Sequence, residues 1–241
     1  MKQYINLINY HSIIYARTNK FIMPLVVWSG LIFAHYRVMP LEVVSSIATS
    51  SIYVFFIMIW IGITYFDSVE VVSEQLMLLR VYKRATYYKS KYLFLILIGA
   101  LISILSVIVP VILNAANNSA IFTRSLTFMD IFLGFFLHFV ITFLGIAVAA
   151  IFQPLCFKNR KIALLLAAMV SLVALAKDAI IESYSFLKYL IWIFPPLTDI
   201  LNLFRDSVYF NPLSVGKAIF IGTLYCLAMI IIAQLMIKSK R

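Results

Sequence analysis

The chain has 241 residues, 64% of them hydrophobic, with a formal net charge of +11 and two cysteines. Soluble domains are about 45–50% apolar, so this composition excludes an ordinary soluble fold, and two cysteines outside any motif exclude a disulfide framework. Nucleic acid is excluded as the reason for the charge, because the cations gather at the ends of hydrophobic runs, where they set topology and meet anionic lipid.

The expected class is an all-α polytopic membrane protein, one transmembrane domain over residues 1–241. A helical crossing takes ~20 apolar residues, and the runs allow six. Residues 1–20 read as an amphipathic helix lying in the membrane plane. Tyr4, Ile5, Ile8 and Tyr15 recur near helical spacing, with Lys2, Arg17 and Lys20 as its cations. A frayed tail is the other reading of this segment. Polar residues at Gln3, Asn6, Asn9 and His11 argue against a cleaved signal peptide.

Span one is Phe21–Tyr36, with Pro24 near its start. Span two is Ile47–Phe66, with Val43 as an earlier start, and Trp60 and Tyr65 anchor its far end. Span three is Tyr92–Leu113, closed by a polar stretch from Ala115 to Ala120. Span four is Ile131–Phe152, followed by Cys156, expected to be cytosolic and reduced, and by a short basic loop, Phe157–Lys161, with three cations. Span five is Ile162–Ala176. Its small residues Ala163, Ala167 and Ser171 recur every fourth position, as Gly145 and Ala149 do in span four. That spacing lets helices approach closely in lipid, either against a second subunit or within one.

Residues 177–214 are too polar for an ordinary span, yet Tyr184–Phe194 is aromatic and apolar, with Tyr184, Tyr189 and Trp192, and Pro195-Pro196 breaks any helix. About eleven apolar residues are too few to cross, so an interfacial or re-entrant hairpin is expected. Span six is Val215–Ile237, containing Cys226 as a small hydrophobe, and the tail carries Lys238, Lys240 and Arg241.

Counting Lys and Arg, the N-terminal tail, the loop after span two, the loop after span four and the C-terminal tail hold 3, 5, 3 and 3; the alternate loops hold 1, 1 and 4, the last over a long segment. Excess cations in short loops mark the cytoplasmic side, so both termini are expected there, with the aromatic hairpin outside.

The loop 67–91 is the longest polar stretch. Asp67, Glu70 and Glu74 precede Leu76, Leu78 and Leu79, and Arg80, Lys83, Arg84, Lys89 and Lys91 follow. Acid before base suits a helix dipole. A solvated loop obeying the orientation rule explains the cations but leaves the leucines exposed. A docking helix for a cytosolic protein explains both.

Enzyme chemistry finds no foothold. The histidines His11, His35 and His138 form no ligand pair, no Gly-x-Ser-x-Gly elbow exists, and the Gly216-Lys217 pair, followed by Ala218, is no phosphate-binding loop. His138 is the one candidate polar residue within a span; a hydrogen bond to a neighbouring helix and a functional role both remain open for it.

The order of parts resembles the membrane subunit of ABC-2 type ATP-binding-cassette exporters: in-plane helix, two spans, a helix-bearing cytosolic loop, three spans, an external hairpin and a final span. The segment Glu70–Lys91 is similar to that family's coupling region, and Tyr184–Phe204 to its paired re-entrant helices. The resemblance implies a permease half in a bacterial cytoplasmic membrane. It would work with two ATPase subunits, which bind ATP and Mg, and with a second permease copy or paralogue. This chain itself would bind no cofactor. Asp67, Glu70, Glu74, Leu76, Leu78, Leu79, Arg80 and Arg84 would dock on the ATPase. The apolar spans suit an amphipathic or hydrophobic cargo such as a peptide. The competing class is a sensor or assembly protein that binds a cytosolic partner without moving cargo.

Overall fold

The computed structural model describes residues 2–81, 83–157 and 159–239, without the side chains of Lys2, Val71 and Ser239. The cations Lys158, Lys240 and Arg241 lie outside the described residues, as does Met1 of the amphipathic segment. The described chain is helical apart from turns and one isolated parallel bridge between Leu41 and Phe122. Its elements are α1 (Lys2–Arg17), α2 (Ile22–His35), α3 (Val43–Phe66), α4 (Val71–Arg80), α5 (Arg84–Ala116), α6 (Phe128–Ile151), α7 (Arg160–Ser183), α8 (Lys188–Ile191), α9 (Leu197–Leu201) and α10 (Pro212–Ser239). Short 3₁₀ turns at Ser185–Leu187 and Asn202–Phe204 flank α8 and follow α9.

Five helices, α3, α5, α6, α7 and α10, are long and apolar enough to cross a membrane. The first expected span is α2, an apolar helix of 14 residues. At 1.5 Å per residue it rises about 21 Å, against about 30 Å of hydrocarbon. It docks on α5 through the Trp28 indole, which donates to Ser106 Oγ at 3.2 Å.

The centre is α6, packed against α3, α5 and α10. In their most apolar stretches α6 and α3 are 67% and 61% buried, whereas α7 and α10 are 22% and 17% buried. The last two therefore present broad apolar faces outward. Small residues explain the tight centre. A β-carbon at Gly145 would lie 2.7 Å from Met58 Cβ and 2.9 Å from the Phe55 carbonyl oxygen, and Gly62 of α3 faces Ala149 in the same way. The Gly145–Ala149 pair is thus a close-approach seam between α6 and α3.

Two expected boundaries move, and one packing row finds its place. α5 has 33 residues, about 50 Å, so the second half of the polar loop, from Arg84 to Lys91, is a helical extension of the third span. α7 runs to Ser183, so Lys177, Asp178 and Glu182 belong to its last turns and the hairpin starts at Tyr184. The row Ala163, Ala167 and Ser171 is 0–2% exposed within this single chain. It therefore packs inside one subunit, one of the two uses its spacing allows. The face left free on α7 carries Leu165 and Leu172 instead.

The hairpin has two different halves. Tyr184, Phe186, Tyr189 and Trp192 are exposed, while Pro195, Pro196, Leu197, Ile200 and Phe204 are buried where α9 and the turn after it meet α7, α10 and α3. Tyr225 of α10 donates to the Ile193 carbonyl at 3.1 Å and ties the halves together.

Candidate functional site

One end of the bundle gathers α1, α4, the start of α5, the end of α3 and the start of α7. Its residues come from 67–91, as the sequence indicates, and from α1, which the sequence does not indicate.

α4 begins after Glu70, whose backbone is extended and whose side chain makes no cap. Glu74 lies in the first turn and Arg80 in the last, the order that complements the helix dipole. Its two sides differ. Leu78 and Met77 pack on a small cluster of Leu7, Val81 and Tyr87, joined by Tyr10 and Tyr88. On the other side Val72, Leu76 and Leu79 are 66%, 57% and 84% exposed. These three aliphatics, four and three residues apart, share one face of the helix.

Glu74 is on the inner side, not presented to a partner. Its carboxylate takes Lys91 Nζ at 2.7 Å and the Tyr88 hydroxyl at 3.0 Å, with the two ion-pair side chains only 6% and 4% exposed. Lys91 also lies 4.9 Å from the Tyr87 ring centroid, close enough for a cation–π contact. This carboxylate pins α4 to α5. Asp67 is likewise engaged: its Oδ2 accepts from the Arg160 guanidinium at 2.6 Å, which links the end of α3 to the start of α7. Arg160 also donates to the Phe152 carbonyl at 2.7 Å. Glu70, Arg80 and Arg84 are exposed and remain on the outer rim with Leu76 and Leu79, while Leu78 is half-buried. The expected docking set therefore splits into a holding group (Asp67, Glu74, Leu78) and an outward group.

α1 is the unexpected member. Its buried row is Leu7, His11 and Tyr15, four residues apart, rather than a stripe through Tyr4 and Ile5; Ile5 is 60% exposed. His11 is fully buried, with Nε2 2.9 Å from Ser90 Oγ. Burial, reinforced by the nearby Lys91 charge, lowers the His11 pKa to about 3, so the ring is neutral at pH 7. Tyr15 reaches Thr64 Oγ1 at 2.9 Å. The sequence signal for His11 was its place in the Leu7–Tyr15 row; read as a polar interruption, it hides that row.

His138 sits in the core of α6. Its Nδ1 is 2.8 Å from the Gly134 carbonyl, which fixes that nitrogen as the donor, and Nε2 lies 3.0 Å from Ser50 Oγ of α3. Both ring nitrogens are used in helix packing. His35 is on α2, far along the chain from either. Among the described residues no group of three or more His, Cys, Asp or Glu side chains converges to hold a metal. Cys156 and Cys226 are both buried, and the Cys156 thiol lies 3.7 Å from the Ala233 carbonyl oxygen.

At the opposite end Arg124 grips Asp130 through two bonds of 2.7 and 2.8 Å, inside a capping box with Thr127 that starts α6. Lys177 of α7 pairs with Asp199 of α9, and Asn202 donates to Asp178 Oδ2 at 2.7 Å. The hairpin residues Tyr184, Tyr189 and Trp192 project away from this braced base. Comparison of the chain with protein-family models, curated proteins and solved structures gives no match.

Proposed function

We propose that this chain is the membrane-spanning half of an ATP-driven exporter in a bacterial cytoplasmic membrane. In this reading α2 and the five long helices form six spans, α1 lies in the membrane plane, and both termini and α4 face the cytosol. α4 is the surface on which an ATPase subunit seats. Two such subunits hold ATP and Mg, and a second permease copy or paralogue completes the path for an amphipathic or hydrophobic cargo such as a peptide.

The observation that carries the reading is the division of α4. Val72, Leu76 and Leu79 face outward, while Glu74 on the other side is fastened to Lys91 in a 33-residue helix. A rigid link from an exposed apolar patch to a span is what a mechanical input needs. Glu70, Arg80 and Arg84 rim the patch and set orientation. The device moves cargo only if the partner binds α4 differently in its two nucleotide states.

The test places a photo-crosslinker at Leu76, on the same exposed face as Leu79, in membranes of the native cell. An adduct with a nucleotide-hydrolysing subunit is expected. Leu79→Arg is expected to abolish the adduct and ATP-driven efflux while shifting the chain's own stability by no more than about 0.5 kcal/mol, as for other surface substitutions. An adduct with a protein lacking ATPase activity replaces the exporter reading with the sensor or assembly class. No adduct, or undiminished efflux in the arginine variant, removes the docking assignment.

A further inference from the structure

A groove runs between the start of α5 and the last turns of α10. It has a volume of about 470 Å³ and is bordered by Arg84, Tyr88 and Lys89 on one helix and by Ile231, Leu235 and Lys238 on the other. That size falls within the ~300–1,000 Å³ of small-molecule sites. On α10 the lining residues are four and three apart, so one helical face forms the wall. Ile231 and Leu235 are 56% and 60% exposed.

The chemistry is divided along the groove. The α10 wall is mostly aliphatic, with Ile231, Leu235 and Ile237 beside Gln234. Its mouth carries Arg84, Lys89 and Lys238, all exposed, and none of the four ion pairs found among the described residues uses them. Tyr88, which lines the groove, donates to the Glu74 carboxylate, and Glu74 is itself paired with Lys91. Among the described residues no acid lines the groove, so its cations have no counter-charge in the lining. Depth agrees: α5 is about 50 Å long, roughly 20 Å more than the hydrocarbon it crosses, so its first turns stand at headgroup level.

We infer that this groove is a binding site for an anionic glycerophospholipid, with the phosphate between Arg84, Lys89 and Lys238 and an acyl chain along Ile231 and Leu235. Basic pockets between membrane helices select anionic headgroups in this way. The charge excludes a zwitterionic lipid as the preferred occupant, because its ammonium group would face three cations. The site shares Arg84 with the rim of the α4 patch, but its other cations and its aliphatic wall do not depend on whether α4 engages an ATPase.

The full chain, purified in detergent and stripped of lipid, is given dioleoyl phosphatidylglycerol, dioleoyl phosphatidylcholine or inorganic phosphate, and followed by native mass spectrometry and thermal unfolding. Phosphatidylglycerol is expected to stay bound and raise the midpoint, and the other two are not. R84Q/K89Q/K238Q is expected to weaken phosphatidylglycerol binding by roughly fivefold per cation removed. Leu235→Trp, which fills the groove and keeps every charge, is expected to weaken it as well. Neutralising Lys188 and Arg205 at the other end is expected to leave it unchanged. Equal retention of the two lipids overturns the inference. So does an equal response to inorganic phosphate, which identifies a free-anion site, or undiminished binding in Leu235→Trp. A groove shielded by a second copy, shown by disulfide capture of Lys89→Cys across a dimer with no lipid retained, overturns it too. Should the triple variant fail to fold, the lipid comparison on the unaltered chain and Leu235→Trp decide the matter.

Discussion

The two ends of the bundle solve one problem in different ways. Each must hold short polar segments against helices that are mostly apolar, and each uses buried or half-buried ion pairs. At the far end Arg124–Asp130 and Lys177–Asp199 brace α6, α7 and α9, and what projects is aromatic: Tyr189 is 81% and Trp192 70% exposed. At the end carrying α1 and α4, Glu74–Lys91 and Asp67–Arg160 brace α3, α5 and α7, and what projects is aliphatic. Tyr and Trp are amphipathic and settle at the membrane–water boundary without a protein partner. Val72, Leu76 and Leu79 have no polar tip to place in water, and in the proposed reading they meet an apolar surface on a partner. The difference is between an amphipathic projection and a purely apolar one.

The strongest way to break the comparison is to cut the buried pair. Glu74→Ala leaves Lys91 charged and buried without its partner, and such losses cost about 3–5 kcal/mol. Thermal or chemical unfolding of the detergent-solubilised protein measures it. The charge swap E74K/K91E is expected to recover part of the loss, since the pairing is restored in reversed order; no recovery would mean that Tyr88 and the local field, rather than the pair, hold α4. At the other end Arg124→Met is expected to cost less, about 2–3 kcal/mol. Asp130 keeps its bonds from the Thr127 backbone and hydroxyl, at 2.9 and 2.8 Å, and its place in the first turn of α6. Equal losses at the two ends would erase the distinction in how deeply each pair is engaged.

The sequence carried most of the fold and less of the site. Long apolar runs announced α3, α5, α6, α7 and α10 because a single periodic property, hydropathy, suffices to mark a crossing. Boundaries failed where a helix continues past its apolar stretch, as α5 does back to Arg84 and α7 does on to Ser183; cations and acids there look like loop but are compatible with helix. The loop 67–91 was legible as a polar, helix-bearing segment from its order of acids, leucines and cations. The roles inside it were not. Glu70 and Glu74 look equivalent in sequence, but Lys91 of α5 meets Glu74, while Glu70 is exposed. The small-residue rows show the same limit. Ala163, Ala167 and Ser171 promise close packing, but spacing does not say against what.

His11 gives a smaller effect with a definite sign. Burial holds its folded pKa near 3, below the ordinary 6.5 of the unfolded chain. Between those values the unfolded chain binds more protons, so stability rises with pH there and falls on acidification. From pH 7 to pH 5 the loss is about 2 kcal/mol, since 1.5 pH units below 6.5 cost about 1.36 kcal/mol each. His11→Gln, which cannot titrate, is expected to flatten that part of the profile. The same slope in both proteins would place the titration elsewhere.

Two adjacent tyrosines supply the finest test. The Tyr88 hydroxyl donates to the Glu74 carboxylate, so Tyr88→Phe is expected to cost about 1.5 kcal/mol, as for a hydrogen bond to a charged group. Tyr87 is 0% exposed, and its hydroxyl has no partner among the described residues. Tyr87→Phe keeps the ring that Lys91 and His11 rest on and removes only a buried, unsatisfied oxygen. It is expected to leave stability unchanged or raise it by up to about 1 kcal/mol. One hydroxyl fastens α4 and its neighbour in sequence does not, so unfolding midpoints of the two variants in one buffer must move apart. If Tyr87→Phe lowers the midpoint as much as Tyr88→Phe, the Tyr87 hydroxyl is bonded in the folded protein, and the joint among α1, α4 and α5 is more polar than its side-chain contacts show.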